Sequence, residues 1–294
     1  MTIIVPATSA NMGPGFDSLG VALKFYNKAE IAPSKFFSVS VRGEGARFLK
    51  TKNGNAFLNI FYKTYKRLTG AEDTFRFRFE NNIPLSRGLG SSSAAIVSAL
   101  TAARLMANAP VDGREILNEA LTYESHPDNI TPAVFGGFCV CALQDKSVVF
   151  SRACLDEELR AVITIPNKSI STRFSRNALP KRVRIEDAAF NIAHSSLLTA
   201  ALLSKDYDLL REACADRLHQ TVRMRLLPQL FEVQRVAFEA GALSATLSGS
   251  GSSFFSLAAN DDEAQKIAFV LRETFPAFRT EIFEFDALGA RSQA

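Results

Sequence analysis

The chain has 294 residues, 47% of them hydrophobic and 22% charged, with 16 glycines, 11 prolines and no tryptophan. That length predicts two domains, and the apolar fraction excludes a disordered or low-complexity chain. The 34 basic against 30 acidic side chains, net +4, suit a binder of phosphates or small anions and are too scattered for a nucleic-acid surface.

Met1–Gly13 has no basic stretch followed by an apolar core, so no secretory signal is expected and the protein is expected to stay in the cytoplasm. Ile3–Val5 reads as a short strand leading into a small-residue loop. Phe37, Val39 and Val41 alternate with polar residues, as do Phe75, Phe77 and Phe79 with Arg76 and Arg78, which predicts largely antiparallel strands with one buried face. Between them Phe57, Phe61, Tyr65 and Leu68 recur at helical spacing up to a stop at Gly70. Helices are predicted over Ser91–Ala107 and from an Asp112 cap, with Glu115 three residues on, to about Tyr123. Ala133–Leu143 reads as a buried strand; it is the longest apolar run, its glycines interrupt it, and no membrane partner is expected.

Ser151–Glu158 breaks the apolar pattern, giving domains over residues 1–155 and 156–294. The second opens with a strand at Ala161–Pro166, followed by helices around Glu186–Leu203, Asp206–His219 and Leu230–Ala240. Strands at Ala245–Leu247 and Phe254–Leu257, a helix at Asp261–Phe275 and a strand at Glu281–Phe285 complete an α+β chain. Cys139, Cys141, Cys154 and Cys214 contain no Cys-x-x-Cys pair and His126, His194 and His219 are far apart, so no zinc site is expected; Cys139 and Cys141 suit buried thiols on one strand face.

Three loops are rich in glycine and serine. Ile83-Pro-Leu-Ser-Arg-Gly-Leu-Gly-Ser-Ser-Ser-Ala-Ala95 runs directly into a helix, and its glycines allow a tight turn and close approach to a ligand. The N–H groups and partial positive charge at the helix start make an anion cradle suited to nucleotide phosphates. The segment is neither a Gly-x-x-x-x-Gly-Lys-Ser/Thr loop nor a dinucleotide fingerprint, and no Gly-x-Ser-x-Gly hydrolase elbow occurs. Pro6–Gly20 carries Asn11 and Asp17 among small residues, and Ala245–Phe255 repeats the glycine pattern after a strand. Three loops that supply backbone N–H groups point to a polyanionic ligand.

These segments, in this order and spanning nearly the whole chain, resemble the three signature motifs of the galactokinase, homoserine kinase, mevalonate kinase and phosphomevalonate kinase (GHMP) superfamily. The first is close to the homoserine kinase version, with Asn11 and Asp17 at matching places. The resemblance implies a ribosomal-protein-S5-like N-terminal domain joined to a ferredoxin-like C-terminal domain. It also implies ATP and Mg²⁺ as cofactors and phosphoryl transfer to L-homoserine, giving O-phospho-L-homoserine for threonine synthesis. Another GHMP acceptor, such as mevalonate or a sugar, is the nearest alternative, and a non-catalytic nucleotide or RNA module the more distant one.

Carried over residue by residue, the resemblance assigns the second loop to ATP. Pro84, Leu85, Ser86 and Arg87 lead into the turn, Gly88, Leu89 and Gly90 form it, and Ser91, Ser92, Ser93 and Ala94 open the helix. Arg87 is expected to neutralise phosphate charge, and Asn59 to touch adenine. Glu124, in Tyr-Glu-Ser-His-Pro-Asp-Asn129, matches the magnesium glutamate, with Ser92 as hydroxyl ligand; Ser125 replaces the commoner glycine, which matters only where a positive φ is required. Thr172, Arg176 and Arg223 fall in segments resembling the substrate site, and two guanidinium forks suit a carboxylate. Asp17 is expected to take the substrate ammonium, with Asn11 and His126 as polar contacts and Asn129 at the reacting hydroxyl. Asp128 is adjacent, and the sequence leaves open which of the two faces the substrate. It also fixes no oligomeric state, a homodimer being one that the reading admits.

Overall fold

The computed structural model describes residues 1–47, 49, 55–145 and 147–293. Its first sheet has the order β11-β1-β2-β4-β3, with β5 joined to β2 and β6 to β5. Strand β1 covers Thr2–Ala10, well past the expected Ile3–Val5, and pairs along its whole length with β2, Leu19–Pro33. Pro6 cannot donate to the ladder, and the register shifts between Pro6 and Ala7. Half of the first small-residue segment is therefore strand, and its turn begins at Asn11.

Helix α1, Ala56–Thr69, is capped by the Asn55 side chain and stopped by Gly70 in the left-handed region. Its Phe57, Phe61 and Tyr65 pack on Phe75, Phe77 and Phe79 of β4, Phe75–Asn81, with Phe57 and Phe79 rings 4.8 Å apart and Phe61 and Phe77 5.2 Å apart. Each such side chain contributes about 1.5–3 kcal/mol by burial. Arg76 and Arg78 lie on the opposite, exposed face, where Arg78 meets Glu30 of β2 at 3.6 Å. Strand β3, Ser38–Gly43, pairs with β4 in parallel, an exception to the antiparallel expectation.

Helix α2, Ser91–Met106, is almost wholly buried beneath this sheet. Helix α3, Gly113–Ala120, starts at the expected Asp112 cap, which accepts from the Arg114 and Glu115 amides. The predicted strand over Ala133–Leu143 is divided: Ala133–Phe135 end helix α4, Pro127–Phe135, and β5 begins at Phe138 and runs to Gln144. Gly136 and Gly137, both at positive φ, make the break, and a uniformly apolar run does not distinguish the two elements. Cys139 and Cys141 are free and buried on β5, as expected. Strand β6, Ser147–Ala153, then pairs with β5 and runs into the start of the Ser151–Glu158 stretch that breaks the apolar pattern.

The second sheet has the order β10-β7-β9-β8: Arg279–Phe283, Arg160–Ile165, Phe254–Ala258 and Ser244–Leu247, all antiparallel. Helices α9, Gln229–Glu239, and α10, Asp261–Thr274, pack on it through Leu230, Val233, Ile267 and Leu271. Before them come α5, Thr172–Asn177, and α6, Ile185–Ser204. The expected helix over Asp206–His219 is only a turn at Tyr207–Leu209 and the four-residue α7, Leu210–Ala213. Asp216 ends it by accepting from the Leu218, His219 and Gln220 amides, so its carboxylate starts α8, Gln220–Met224, instead. After β10 the chain returns to the first sheet, where Phe285 bridges Leu23 and β11, Arg291–Gln293, pairs with β1. The last residues thus depart from the expected 156–294 unit.

Candidate active site

The second glycine-rich loop turns at Gly88, φ 78°, and Gly90, φ 67°. A Cβ at Gly90 would lie 1.9 Å from Thr8 Oγ1, and one at Gly88 2.1 Å from the Ser248 carbonyl oxygen. Both steric space and backbone conformation therefore demand glycine. Gly90 is the N-cap of α2 and supplies no side-chain capping bond. The first-turn N–H groups of Ser91, Ser92 and Ser93 lack intrahelical acceptors by position and stand at the positive end of a sixteen-residue helix.

Ser93 Oγ donates to Glu124 Oε2 at 2.7 Å, joining the start of α2 to the segment after α3. Burial raises the Glu124 pKa, while the Ser93 bond and the charge of Arg176 oppose that rise. Ser92 is exposed at the rim of the same pocket. Ser125 is not at positive φ, so replacing the commoner glycine leaves the backbone unstrained.

The other two loops close on this one. Asn11, buried at φ 67°, accepts from the Asp17 amide and donates from Nδ2 to the Gly249 carbonyl, both at 2.9 Å. Gly249 N donates to Ala10 O at 3.0 Å, and the Ser248 hydroxyl donates to Gly88 O at 2.6 Å. All three glycine-rich segments, from both sheets, are thereby joined at one point.

Beside that junction the pocket carries charge. Arg176 on α5 places Nη2 2.7 Å from Asp17 Oδ1 and Nη1 3.0 Å from Asp17 Oδ2. The two residues expected to hold separate ends of a substrate are thus paired with each other, opposite charges in one cavity neutralising across two bonds. His126 Nε2 stands 3.7 Å from Asp17 Oδ2, but burial outweighs that carboxylate and lowers its pKa. Asp128, buried in the first turn of α4, is pushed up to about 7 by burial and then by Asp17 and Glu124. Asn129 Oδ1 accepts from Thr8 Oγ1 at 2.7 Å, which leaves the amide nitrogen with no partner among the described residues.

Arg223 on α8 is only 2% exposed, and no carboxylate bonds it among the described residues. Its Nη1 donates to Gly249 O and to His219 Nδ1, each at 3.1 Å, while Nε has no partner. Burial, followed by the charge of Arg176, lowers its pKa to about 10. The His219 bonds fix a tautomer: a carbonyl only accepts, so Nε2 donates to Gly13 O at 2.7 Å and Nδ1 is free to accept from Arg223. Phe16 lies between the two guanidinium groups, its ring 5.3 Å from Arg176 and 5.2 Å from Arg223.

One pocket thus brings together Asn11, Asp17, Glu124, His126, Asp128, Asn129, Thr172, Arg176 and Arg223 with most of the second loop. Leu85 and Ala94 instead line an adjoining cavity of about 350 Å³, which shares Ser86, Ser91 and Ser92 and is otherwise walled by Leu49, Asn55, Phe57 and Phe79 among others. Asn59 lines neither: it sits on the exposed face of α1, one turn beyond Asn55. Arg87 borders the pocket, but its guanidinium donates to the carbonyls of Pro166 and Asn167 at 3.0 and 2.6 Å, tying the loop to the end of β7. It is a fastening between the sheets more than a free phosphate cation. Thr8, Phe16 and His219 were not anticipated. Thr8 lay in a stretch read as loop, and nothing in a lone histidine at the start of a helix announces that it holds an arginine.

Residues 57–137 match the family described as GHMP kinases N terminal domain, and residues 198–277 match GHMP kinases C terminal. A homoserine kinase of Campylobacter lari is 53% identical over 290 residues, 98% of this chain and 99% of the relative. The chain belongs to the homoserine kinase family of the GHMP kinases. Its fold agrees: the crystal structure of homoserine kinase from Cytophaga hutchinsonii superposes with a TM-score of 0.88 at 26% identity, covering 99% of this chain and 96% of that one. A mevalonate kinase from L. major shares the fold at TM-score 0.75 and 17% identity, covering 97% and 96%. The two-domain α+β expectation holds. No helix of the described residues is long and apolar enough to cross a membrane.

Proposed function

We propose that this chain transfers the γ-phosphoryl group of ATP to the hydroxyl of L-homoserine, giving O-phospho-L-homoserine and ADP. The observation that carries the acceptor is Arg223, a buried guanidinium without a bonded carboxylate, in the same pocket as the Asp17–Arg176 pair. A zwitterionic amino acid supplies one carboxylate for the two guanidinium groups and one ammonium for Asp17, with His126 and Thr172 alongside. Mevalonate has no ammonium to replace Arg176 at Asp17, and a sugar pairs with none of these charges.

The adjoining cavity takes the adenosine, walled by Phe57, Phe79 and Leu85, and the N–H groups of Ser91–Ser93 hold the phosphates. Glu124 and Ser92 fit a magnesium ion. They offer a carboxylate and a hydroxyl, both hard oxygen donors, and among the described residues no group of three acidic, histidine or cysteine side chains has the arrangement to hold a metal ion by itself. Bound there, the ion supplies positive charge to the phosphate oxygens. The Asn129 amide nitrogen donates to the acceptor hydroxyl oxygen and keeps it in line with the γ-phosphorus. As the new O–P bond forms, the bond between the γ-phosphorus and the β,γ-bridging oxygen breaks, ADP leaves with that electron pair, and the hydroxyl proton passes to an oxygen of the transferred phosphoryl group. Such a loose transition state needs positioning more than a strong base.

ADP release measured with homoserine, homoserine methyl ester, mevalonate, galactose and no acceptor tests this reading. Homoserine is expected to dominate and the ester to lose affinity, since its carboxylate charge is gone. Equal turnover of mevalonate or galactose would overturn the assignment.

A further inference from the structure

Arg176 and Arg223 face one pocket and are held in opposite ways. Arg176 gives two N–H groups to the Asp17 carboxylate, so its charge is met within the chain. Arg223 is buried with no carboxylate bonded to it among the described residues, although a buried cation ordinarily takes one. Its partners are neutral: the Gly249 carbonyl, His219 Nδ1 and, 5.2 Å away, the face of the Phe16 ring.

The local sequence builds this arrangement. His219 and Arg223 are four positions apart at the start of α8, which puts ring and guanidinium on one face of the turn. Asp216 is the carboxylate nearest to both in sequence, and making that turn occupies it. Its Oδ1 accepts from Asn191 Nδ2 and the Leu218 amide, and its Oδ2 from the His219 and Gln220 amides. Asp216 Oδ1 faces the ring at Nε2, 3.7 Å away, whereas Arg223 meets it at Nδ1. Burial lowers the His219 pKa, Asp216 and Asp17 oppose that, and the charge of Arg223 reinforces it, so the ring is neutral.

Both protons of Arg223 Nη1 go to His219 and Gly249. Nε and Nη2 form no hydrogen bond among the described residues, and together they are a side of the fork that presents parallel N–H groups. Because the guanidinium is planar and rigid, bonds at Nη1 fix the direction in which that side points.

We propose that His219 is a positioning and specificity-determining residue, which aims the free side of Arg223 at the acceptor carboxylate while leaving the charge of Arg223 uncancelled. This rests on the reading of the acceptor as an amino acid. A carboxylate in place of the imidazole would hold the guanidinium firmly and also satisfy it, as Asp17 satisfies Arg176. The pocket would then gain little from an acid over its ester. A neutral acceptor gives direction without that loss, so preference for a charged substrate is decided by a residue that does not line the pocket.

Steady-state kinetics with homoserine and its methyl ester test the proposal. His219→Leu is expected to raise homoserine KM about 10-fold, to change kcat and ATP KM less than about 3-fold, and to reduce the preference for acid over ester by about 10-fold. His219→Asn, whose Oδ1 accepts where Nδ1 did, is expected to bring homoserine KM back to within about 3-fold of the parent. Nitrogen-15 spectra of the parent at neutral pH test the arrangement without the leucine variant, the His219 signals being assigned by their loss in His219→Asn. They are expected to show a protonated Nε2 and a bare Nδ1, with and without homoserine. A parent indifferent to esterification would overturn the amino-acid reading and this proposal together. A parent that discriminates leaves that reading standing, and the proposal alone then falls on any of four results. These are undiminished discrimination by His219→Leu, ATP and homoserine KM rising together, a His219→Asn variant as impaired as His219→Leu, or a protonated Nδ1.

Discussion

The two halves that the proposed function gives the pocket, one for phosphates and one for the acceptor, differ in how they are built. The phosphate half consists of backbone amides, small hydroxyls and one carboxylate, made possible by glycines that let loops from both sheets meet. The acceptor half is built from full charges on long side chains, Asp17, Asp128, Arg176 and Arg223, which neutralise or perturb one another. A backbone cradle is indifferent to most side-chain changes and intolerant of added atoms, whereas a charge cluster accepts volume changes and is sensitive to single charges. Phosphates are common to many reactions and can be held generically; the acceptor must be told from its analogues, which takes paired charges.

The largest expected effect falls at the one carboxylate of the phosphate half. Glu124→Gln is expected to lower kcat by about 10²–10³ with little change in homoserine KM or melting temperature, as for loss of one electrostatic partner of the transition state. Steady-state kinetics at varied Mg²⁺ check it, and a near-normal kcat would make both halves alike. Next come the acceptor cations: Arg223→Ala and Arg176→Ala are each expected to raise homoserine KM on the order of 10–100-fold and to leave ATP KM within a few-fold. The double variant should fall short of the product, because in the proposed function both groups serve one carboxylate.

Gly90→Ala sharpens the contrast from the other side. A methyl group there meets Thr8 Oγ1 and forces a left-handed alanine, so a cost of about 1–2 kcal/mol in stability and a raised ATP KM are expected. Differential scanning fluorimetry beside nucleotide titration measures both, and a variant with parental ATP affinity would mean that the loop is not a tight cradle.

A pH slope in stability, rather than a change in rate or affinity, tests the charge cluster. Asp128 has a folded-state pKa near 7 against an ordinary 3.8, so the folded protein holds a proton that the unfolded chain has released between those values. Stability must then fall as pH rises from about 4 to about 7 and level off above, where both states are ionised. Asp128→Asn removes that contribution. The melting temperature of the variant relative to the parent is expected to climb across this window and then flatten; a difference independent of pH would mean that Asp128 ionises normally.

Much of this was legible in the sequence, and the exceptions share a cause. The Phe57–Tyr65 periodicity, the Gly70 stop, the Asp112 cap and the glycine loop before Ser91 are local signals, and each element formed where they put it. Strand β2 was missed because it is buried on both faces where it meets β5 and half-wet beyond, so no single period describes it. Motif resemblance picked out Asp17, Arg176 and Arg223, which line one pocket, yet the Asp17–Arg176 pairing spans 159 positions and left no local trace. Arg87 shows the converse: a cation in the right motif, directed by tertiary structure toward two carbonyls of β7's exit.

The return of the chain to the first sheet carries a consequence for synthesis. β1 leaves the ribosome before every other strand among the described residues, and one of its edges is completed only by Arg291–Gln293. Until those residues emerge, a nascent sheet presents unpaired amides and carbonyls along Thr2–Ile4, the kind of edge that recruits other strands. The whole second sheet is therefore translated while that edge stands open.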